Sequence, residues 1–506
     1  MRKTRNVKLN LLNLESRLTP SVSATLKNGN LSIVGDGNSN TILIAYHGAT
    51  TDIYAVNGYD AQAGANALSY ELPSNKVTNF KSDNSQVNNI RVTDSNKASN
   101  PDAVVLTMDD GTTLAGSFRL NSGKGYTDLQ IQTRNNTNAT IGGTVELFGG
   151  DGADNFFIFD TTVNGKVTAN GGKSGFRVLT DPMFITGLNP TGQYKAYGDV
   201  FQMSDCTFNS DVTVSAAVTL VDSNFGPNFI NGNLRVTNSA NSPLGTYRTM
   251  NGLVYPDGGL PGGTNYSGLV VLDQGTVVTG NFIFQGSQFS DGIYIDGTVT
   301  GNVNVAGQNG PNDFFLGEQR TAPALSRAAT IGGNVSYTGG NGVDHVYLND
   351  GTTVDGSVNL NVGGGDNVYD LDHGFVVGQD FRLTAGNGVD NVGVLSGMIG
   401  RDVWVNLGNG DNTIEFAFDN SNASPGSNGT DISYTGGSGV DSVTLNGNYR
   451  TFKGSFGAGN DFFGYAAGSS LSVSFYGAFG GGTDTYDRSL VSPTWLETYT
   501  NAEVVL

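Results

Sequence analysis

A period of about 22 residues runs through most of this 506-residue chain and constrains the fold more than any other feature. Its first landmark is an apolar residue, a spacer, Gly, a spacer and a second apolar residue. Copies are Ile331-Gly332-Gly333-Asn334-Val335, Val354-Asp355-Gly356-Ser357-Val358, Val376-Val377-Gly378-Gln379-Asp380-Phe381 and Ile399-Gly400-Arg401-Asp402-Val403. Their glycines at 333, 356, 378 and 400 are 23, 22 and 22 apart. Earlier copies surround Gly116, Gly143, Gly165, Gly232, Gly280 and Gly301, and a later one Gly454. The second landmark is a Gly-rich turn ending in Asp, as in GGNGVDHV at 339–346, GNGVDNVGV at 386–394 and GGSGVDSV at 436–443. The aspartates at 344, 366, 390, 411, 441, 461 and 484 are 22, 24, 21, 30, 20 and 23 apart; the step of 30 holds an insertion, 420–429. Two landmarks with one period define a repeat protein.

Between landmarks the pattern alternates, as in Ser357-Val358-Asn359-Leu360-Asn361-Val362, and reads as short strands. No sustained 3.6-residue amphipathic run follows residue 25. A unit this short cannot bury its apolar face alone, whereas stacked units can. Blades of a propeller need about 40–50 residues, so the expected fold is all-β, a right-handed parallel β-helix (β-solenoid). Seventy-four glycines then supply corners that need positive φ on every coil. The expected organisation is a leader at 1–24, an N-terminal cap or irregular first coils at 25–110, coils over 111–488 and a C-terminal cap strand at 489–506. Two stretches lacking the repeat, 182–199 and 238–268, read as inserted loops.

Twenty-six basic against 45 acidic residues give −19, which argues against nucleic acid as a partner. No apolar run approaches the roughly 18 residues of a transmembrane helix. Cys206 alone allows no intrachain disulfide, and His47, His345 and His373 leave little for a zinc site; the latter two read as solvated side chains beside turns. Residues 1–24 carry Arg2, Lys3, Arg5, Lys8 and Arg17 with interspersed leucines. The run Leu14-Glu15-Ser16-Arg17-Leu18-Thr19-Pro20 resembles the LExRLxP leader of large secreted or envelope proteins of planctomycete bacteria. That resemblance implies an extracellular or cell-envelope location, not an activity.

The turns Gly149–Phe157, Gly339–Tyr347 and Gly436–Thr444 are similar to the GGxGxDxUx repeat of repeats-in-toxin proteins, which implies Ca²⁺ at Asp151, Asp154, Asp344, Asp366, Asp390, Asp411, Asp441 and Asp461. Those proteins repeat the motif every nine residues, whereas here it comes once per coil. The second account is structural. Carboxylates about 4.8 Å apart repel by about 1 kcal/mol in water, and an exposed corner relieves this by solvation while each Asp caps turn N–H groups. Ca²⁺ wants six to eight oxygens, and one Asp per turn supplies few.

Three functions are compatible with such a rod. A structural, adhesive or surface-display role needs no site. A carbohydrate or matrix binder would act through the inserted loops, where Tyr194, Tyr197, Tyr247, Arg248, Tyr255 and Tyr266 concentrate. A polysaccharide lyase or hydrolase would draw on Asp205, Asp222, Arg235, Arg248 and Asp257. No HExxH, GxSxG, Walker-type or CxxC motif occurs.

Overall fold

The computed structural model describes residues 22–35, 39–48, 51–57, 80–81, 87–94, 102–134, 138–172, 176–179, 194–197, 199–222, 226–239, 267–317, 328–371, 374–418, 430–467, 469–489, 496–501 and 504–505. Among them every regular element is a strand, and no helix is long and apolar enough to cross a membrane. The chain is an all-β solenoid of stacked parallel strands.

One coil shows the plan. Asn155–Phe159 lies in what we call sheet B, Thr161–Val163 in sheet C and Val167–Asn170 in sheet A. Each pairs in parallel with its counterpart one coil on, Val200–Ser204, Thr207–Phe208 and Val212–Ala216. Alternation along each strand sends Phe156, Ile158, Val163, Val167 and Ala169 inward, and stacking merges these positions into one core cluster from Val22 to Tyr486. Toward the C-terminal end the core turns aromatic: Phe452 stacks on Phe463 at 4.7 Å, Phe463 on Phe475 at 4.7 Å and Phe456 on Phe479 at 4.6 Å.

The first landmark is the corner between sheets C and A. Its glycines form a main-chain ladder: the N–H of Gly143, Gly165, Gly280, Gly301, Gly333 and Gly356 each donates to the carbonyl of the residue below, at 2.8–3.1 Å. A Cβ on Gly333 would meet the Gly301 carbonyl, so the close approach of the coils requires glycine there. Beside it runs an amide ladder, in which the Oδ1 atoms of Asp211, Asn233, Asn281, Asn302 and Asn334 accept the N–H of the equivalent residue on the next coil at 2.8–2.9 Å.

Within 25–110 the pairing is partly antiparallel. Val22–Lys27 folds on Asn30–Gly35 through Asn28 and Gly29, at φ 51° and 77°, and Asn40–Tyr46 pairs antiparallel with Thr51–Asn57. Asn30–Gly35 and Asn40–Tyr46 then start the parallel stacks of sheets A and B. The first strand begins at Val22, inside the segment assigned to the leader. At the other end, Leu496–Thr500 and Val504–Val505 extend sheets A and B in parallel. These two strands thus continue the stacks of the coils before them. The first insertion is wider than 182–199: Phe176–Leu179 and Tyr194–Tyr197 form a separate antiparallel pair, and sheet B resumes at Val200.

Candidate functional site

The Gly-rich turns lie at the corner between sheets A and B, and the Asp or Asn that closes each turn faces the interior. Counting rung by rung through the sheet B register, one position reads Asp102, Thr127, Asp154, Asp199, Ala217, Gly268, Asp291, Asn312, Asp344, Asn367, Asp390, Asn412, Asp441, Asp461, Asp484. Asp154, Asp199, Asp344, Asp390, Asp441 and Asp484 have no exposed surface, and Asp461 has 1%.

The turn itself explains the burial. The column residue follows the last glycine of each turn by two positions, and Gly365, Gly388, Gly410, Gly439, Gly459 and Gly482 hold φ between 111° and 154°. That conformation turns the chain back over the core, and a side chain would strain it. The first glycine answers a different constraint, that of space. A Cβ on Gly149, Gly339 or Gly436 would collide with Oδ2 of Asp154, Asp344 or Asp441 in the same turn. The motif therefore specifies a buried carboxyl and the room to hold it.

Along most of the column Oδ1 accepts the main-chain N–H of the rung below. Thr127 donates to Asp154 at 2.8 Å, Asp154 to Asp199 at 3.0 Å, Asn312 to Asp344 at 3.1 Å and Asp344 to Asn367 at 2.9 Å. Asp390 donates to Asn412 at 3.0 Å, Asp441 to Asp461 at 2.9 Å and Asp461 to Asp484 at 2.9 Å. Where Asn alternates with Asp, its amide adds a side-chain bond: Asn367 to Asp390 at 2.9 Å and Asn412 to Asp441 at 2.9 Å. Tyr369 also donates its hydroxyl to Asp390 at 3.0 Å. The second oxygens of Asp344, Asp390, Asp441, Asp461 and Asp484 are buried and hydrogen-bond to nothing. Charge on those atoms would be neither solvated nor paired. Burial accordingly pushes Asp154 up to about 8, Asp291 and Asp344 to about 7, and Asp199 and Asp441 to about 6.

The expected set divides. Asp154, Asp344, Asp390, Asp441 and Asp461 stand in the column; Asp151, Asp366 and Asp411 are exposed. The equivalents of Asp344 on two rungs are Asn367 and Asn412, not Asp366 and Asp411, which instead accept the N–H of Val389 and Val440 at 2.8 Å on the surface. The picture of solvated corner carboxylates is corrected accordingly: the column carboxyls are buried, burial favours their neutral form, and on several rungs they alternate with Asn. In the column the Oδ1 atoms already accept N–H groups, which leaves only the second oxygens of these carboxyls without a partner. Among the described residues, no three His, Cys, Asp or Glu side chains group to hold a metal.

Asp199, Asp291, Asn312, Asn367, Asn412 and Asp484 are absent from the expected set. Counting from the last glycine, with Asp and Asn as one class, recovers all but Asp199 and Asp291.

Outside the column, the outer face of sheet B is aromatic. Tyr294, Phe315 and Tyr347 stack across three rungs with centroids 4.6 and 4.1 Å apart and planes within 14°. Phe315 is sandwiched between the other two rings, and Tyr294 and Tyr347 are buried, so the ladder reinforces the sheet. Beside it, His345 Nδ1 stands 2.8 Å from Asp313 Oδ1. This corrects the reading of His345 as a solvated turn residue: its contact with Asp313 raises its pKa against the opposing effect of burial. His373 lies outside the described residues.

Of the loop residues, Tyr194 and Tyr197 belong to the antiparallel pair, opposite Leu179 and Phe176. Tyr247, Arg248, Tyr255, Tyr266 and Asp257 lie outside the described residues. Asp205 and Asp222 sit on neighbouring rungs near the corner of sheets B and C, while Arg235 is exposed on a sheet A strand. The chain matches no protein-family model, no curated protein and no solved structure.

Proposed function

We propose that this protein is a secreted or envelope-associated bacterial β-solenoid with a structural or adhesive role and no turnover of its own. One observation carries this reading. The polar residues that recur with the period are hydrogen-bonded from rung to rung, so the repeat's chemistry maintains the stack. The resemblance of Leu14–Pro20 to an envelope-protein leader supports export. The test is fractionation of tagged chains with and without residues 1–24 in a planctomycete host, together with a screen of the purified protein on polysaccharides. Envelope or medium recovery that depends on 1–24, without released products, is expected. Cytoplasmic retention of the full chain, or product release, would contradict the reading.

A second reading, binding of a polysaccharide or matrix chain, is favoured by exposed aromatic and cationic side chains on the outer face of sheet A.

A further inference from the structure

The outer face of sheet A changes character in the last third of the solenoid. One outward column there reads Arg382, Trp404, Ser433, Lys453 and Tyr476 in unbroken register. The Arg382 guanidinium covers one face of the Trp404 ring at 4.4 Å from its centroid. Arg382 belongs to the rung below, so the opposite face looks along the solenoid toward Ser433. That side chain is small, and Lys453 follows on the next rung. With rungs about 4.8 Å apart, Trp404 and Lys453 stand about 9–10 Å from each other above Ser433. One ring fits between them at contact distances of about 3.5–4 Å on either side.

Charge narrows the ligand. Arg401 pairs with Asp380 at 3.3 Å, and Arg450 pairs with Asp431. Lys453 is exposed and forms no ion pair among the described residues; the carboxylate whose field it shares, Asp431, is already held by Arg450. It is an available cation two rungs from the half-buried Trp404, whose second face carries no ring or cation contact among the described residues, in a protein of charge −19. The neighbouring outward column supplies Asn406, Thr435 and Ser455, hydroxyl and amide groups without an apolar patch for a protein partner. Tyr476, 41% exposed, adds a second aromatic one rung beyond Lys453.

We propose that the slot over Ser433 binds one ring of an anionic polysaccharide. The polarised C–H face of the sugar lies on the Trp404 π-face, its carboxylate or sulfate meets Lys453, and its hydroxyls meet Ser433 and Thr435. This rests on the binding reading and not on the structural one, and it places the site on sheet A instead of the inserted loops.

The experiment is calorimetric titration of the full chain with a uronate oligosaccharide, its carboxyl-reduced counterpart and a sulfated oligosaccharide. At least one anionic ligand should bind, and the uncharged one should bind at least tenfold more weakly. The uronate and sulfate arms identify which anion is read. Ser433→Leu fills the slot while keeping Trp404 and Lys453, and should weaken binding at least tenfold; Lys453→Gln should do the same and flatten the salt dependence. Both variants should melt as the parent does. Binding that survives Ser433→Leu would overturn the site while leaving the binding reading intact. No binding of any glycan would overturn both. Equal affinity for the uncharged sugar would overturn the assignment of ligand.

Discussion

Two stretches of the solenoid solve the corner between sheets A and B in different ways. From Asn312 to Asp484 every rung closes in a tight Gly-containing turn, and from Asp291 onward every rung places Asp or Asn in the buried column. Between Asp154 and Asp291 two long connections, after Gly172 and after Ser239, separate a sheet A strand from the next sheet B strand, and the column falters at Ala217 and Gly268. The gap at Gly268 is filled from another strand: Asn238, the last residue of Leu234–Asn238 in sheet A, bonds Asp291. A Cβ on Gly268 would collide with that amide. A rung can therefore lose its own column residue if a neighbouring strand supplies the polar group. What the stack does not tolerate is an N–H without an acceptor.

The largest expected effect breaks the regular stretch. Asp390→Ala removes the acceptor of the Asn367 amide and the Tyr369 hydroxyl and leaves a cavity, so a loss of about 3–4 kcal/mol is expected. Because each coil contacts only its neighbours, amide exchange should accelerate around 367–412 and far less near the N-terminal hairpins. Uniform acceleration would argue against a nearest-neighbour stack. Gly268→Ala tests the substitute contact in the irregular stretch, with an expected loss of about 2 kcal/mol from displacing Asn238. Unfolding midpoints in denaturant would measure it, and an unchanged midpoint would show that Asn238 is dispensable. Asp366→Ala, one position from the column, should change stability by no more than about 0.5 kcal/mol, because Asp366 is a surface acceptor. Calcium gives the smallest effect: midpoints in millimolar Ca²⁺ and in chelator should coincide, and a stabilisation that grows with ligand concentration would reinstate a cation site.

The period was enough to read the fold from sequence, because a 22-residue unit of short strands has few ways to bury itself. The inward turn of the aspartates was not legible. Whether a corner carboxyl faces water or core depends on parity relative to the following sheet B strand and on the positive φ of the last glycine. Anchoring the repeat on Asp placed Asp366 and Asp411 in register; anchoring it on glycine selects Asn367 and Asn412. Asp199 was hidden because it closes an insertion, and Asp291 because its turn reads Gly286-Ser287-Gln288-Phe289-Ser290 and lacks the second glycine. The placement of Trp404 between Arg382 and Ser433 was also beyond the sequence, since it depends on which residues 20–30 positions away fall directly above and below it.

The measurement that addresses the buried column most directly is stability against pH. The folded carboxyl values, about 6 for Asp199 and Asp441 and about 7–8 for Asp154, Asp291 and Asp344, lie above the ordinary 3.8. A raised acid is neutral in the folded state over a range where the unfolded chain is charged. The stability these groups contribute is therefore complete below about pH 4 and is lost as pH rises through about 6–8. Thermal unfolding midpoints should be higher at pH 5 than at pH 8, and the combined Asp344→Asn, Asp390→Asn and Asp441→Asn variant should flatten the slope. A midpoint that rises steadily from pH 5 to pH 8 would mean that these carboxylates are charged and paired, and would contradict the account.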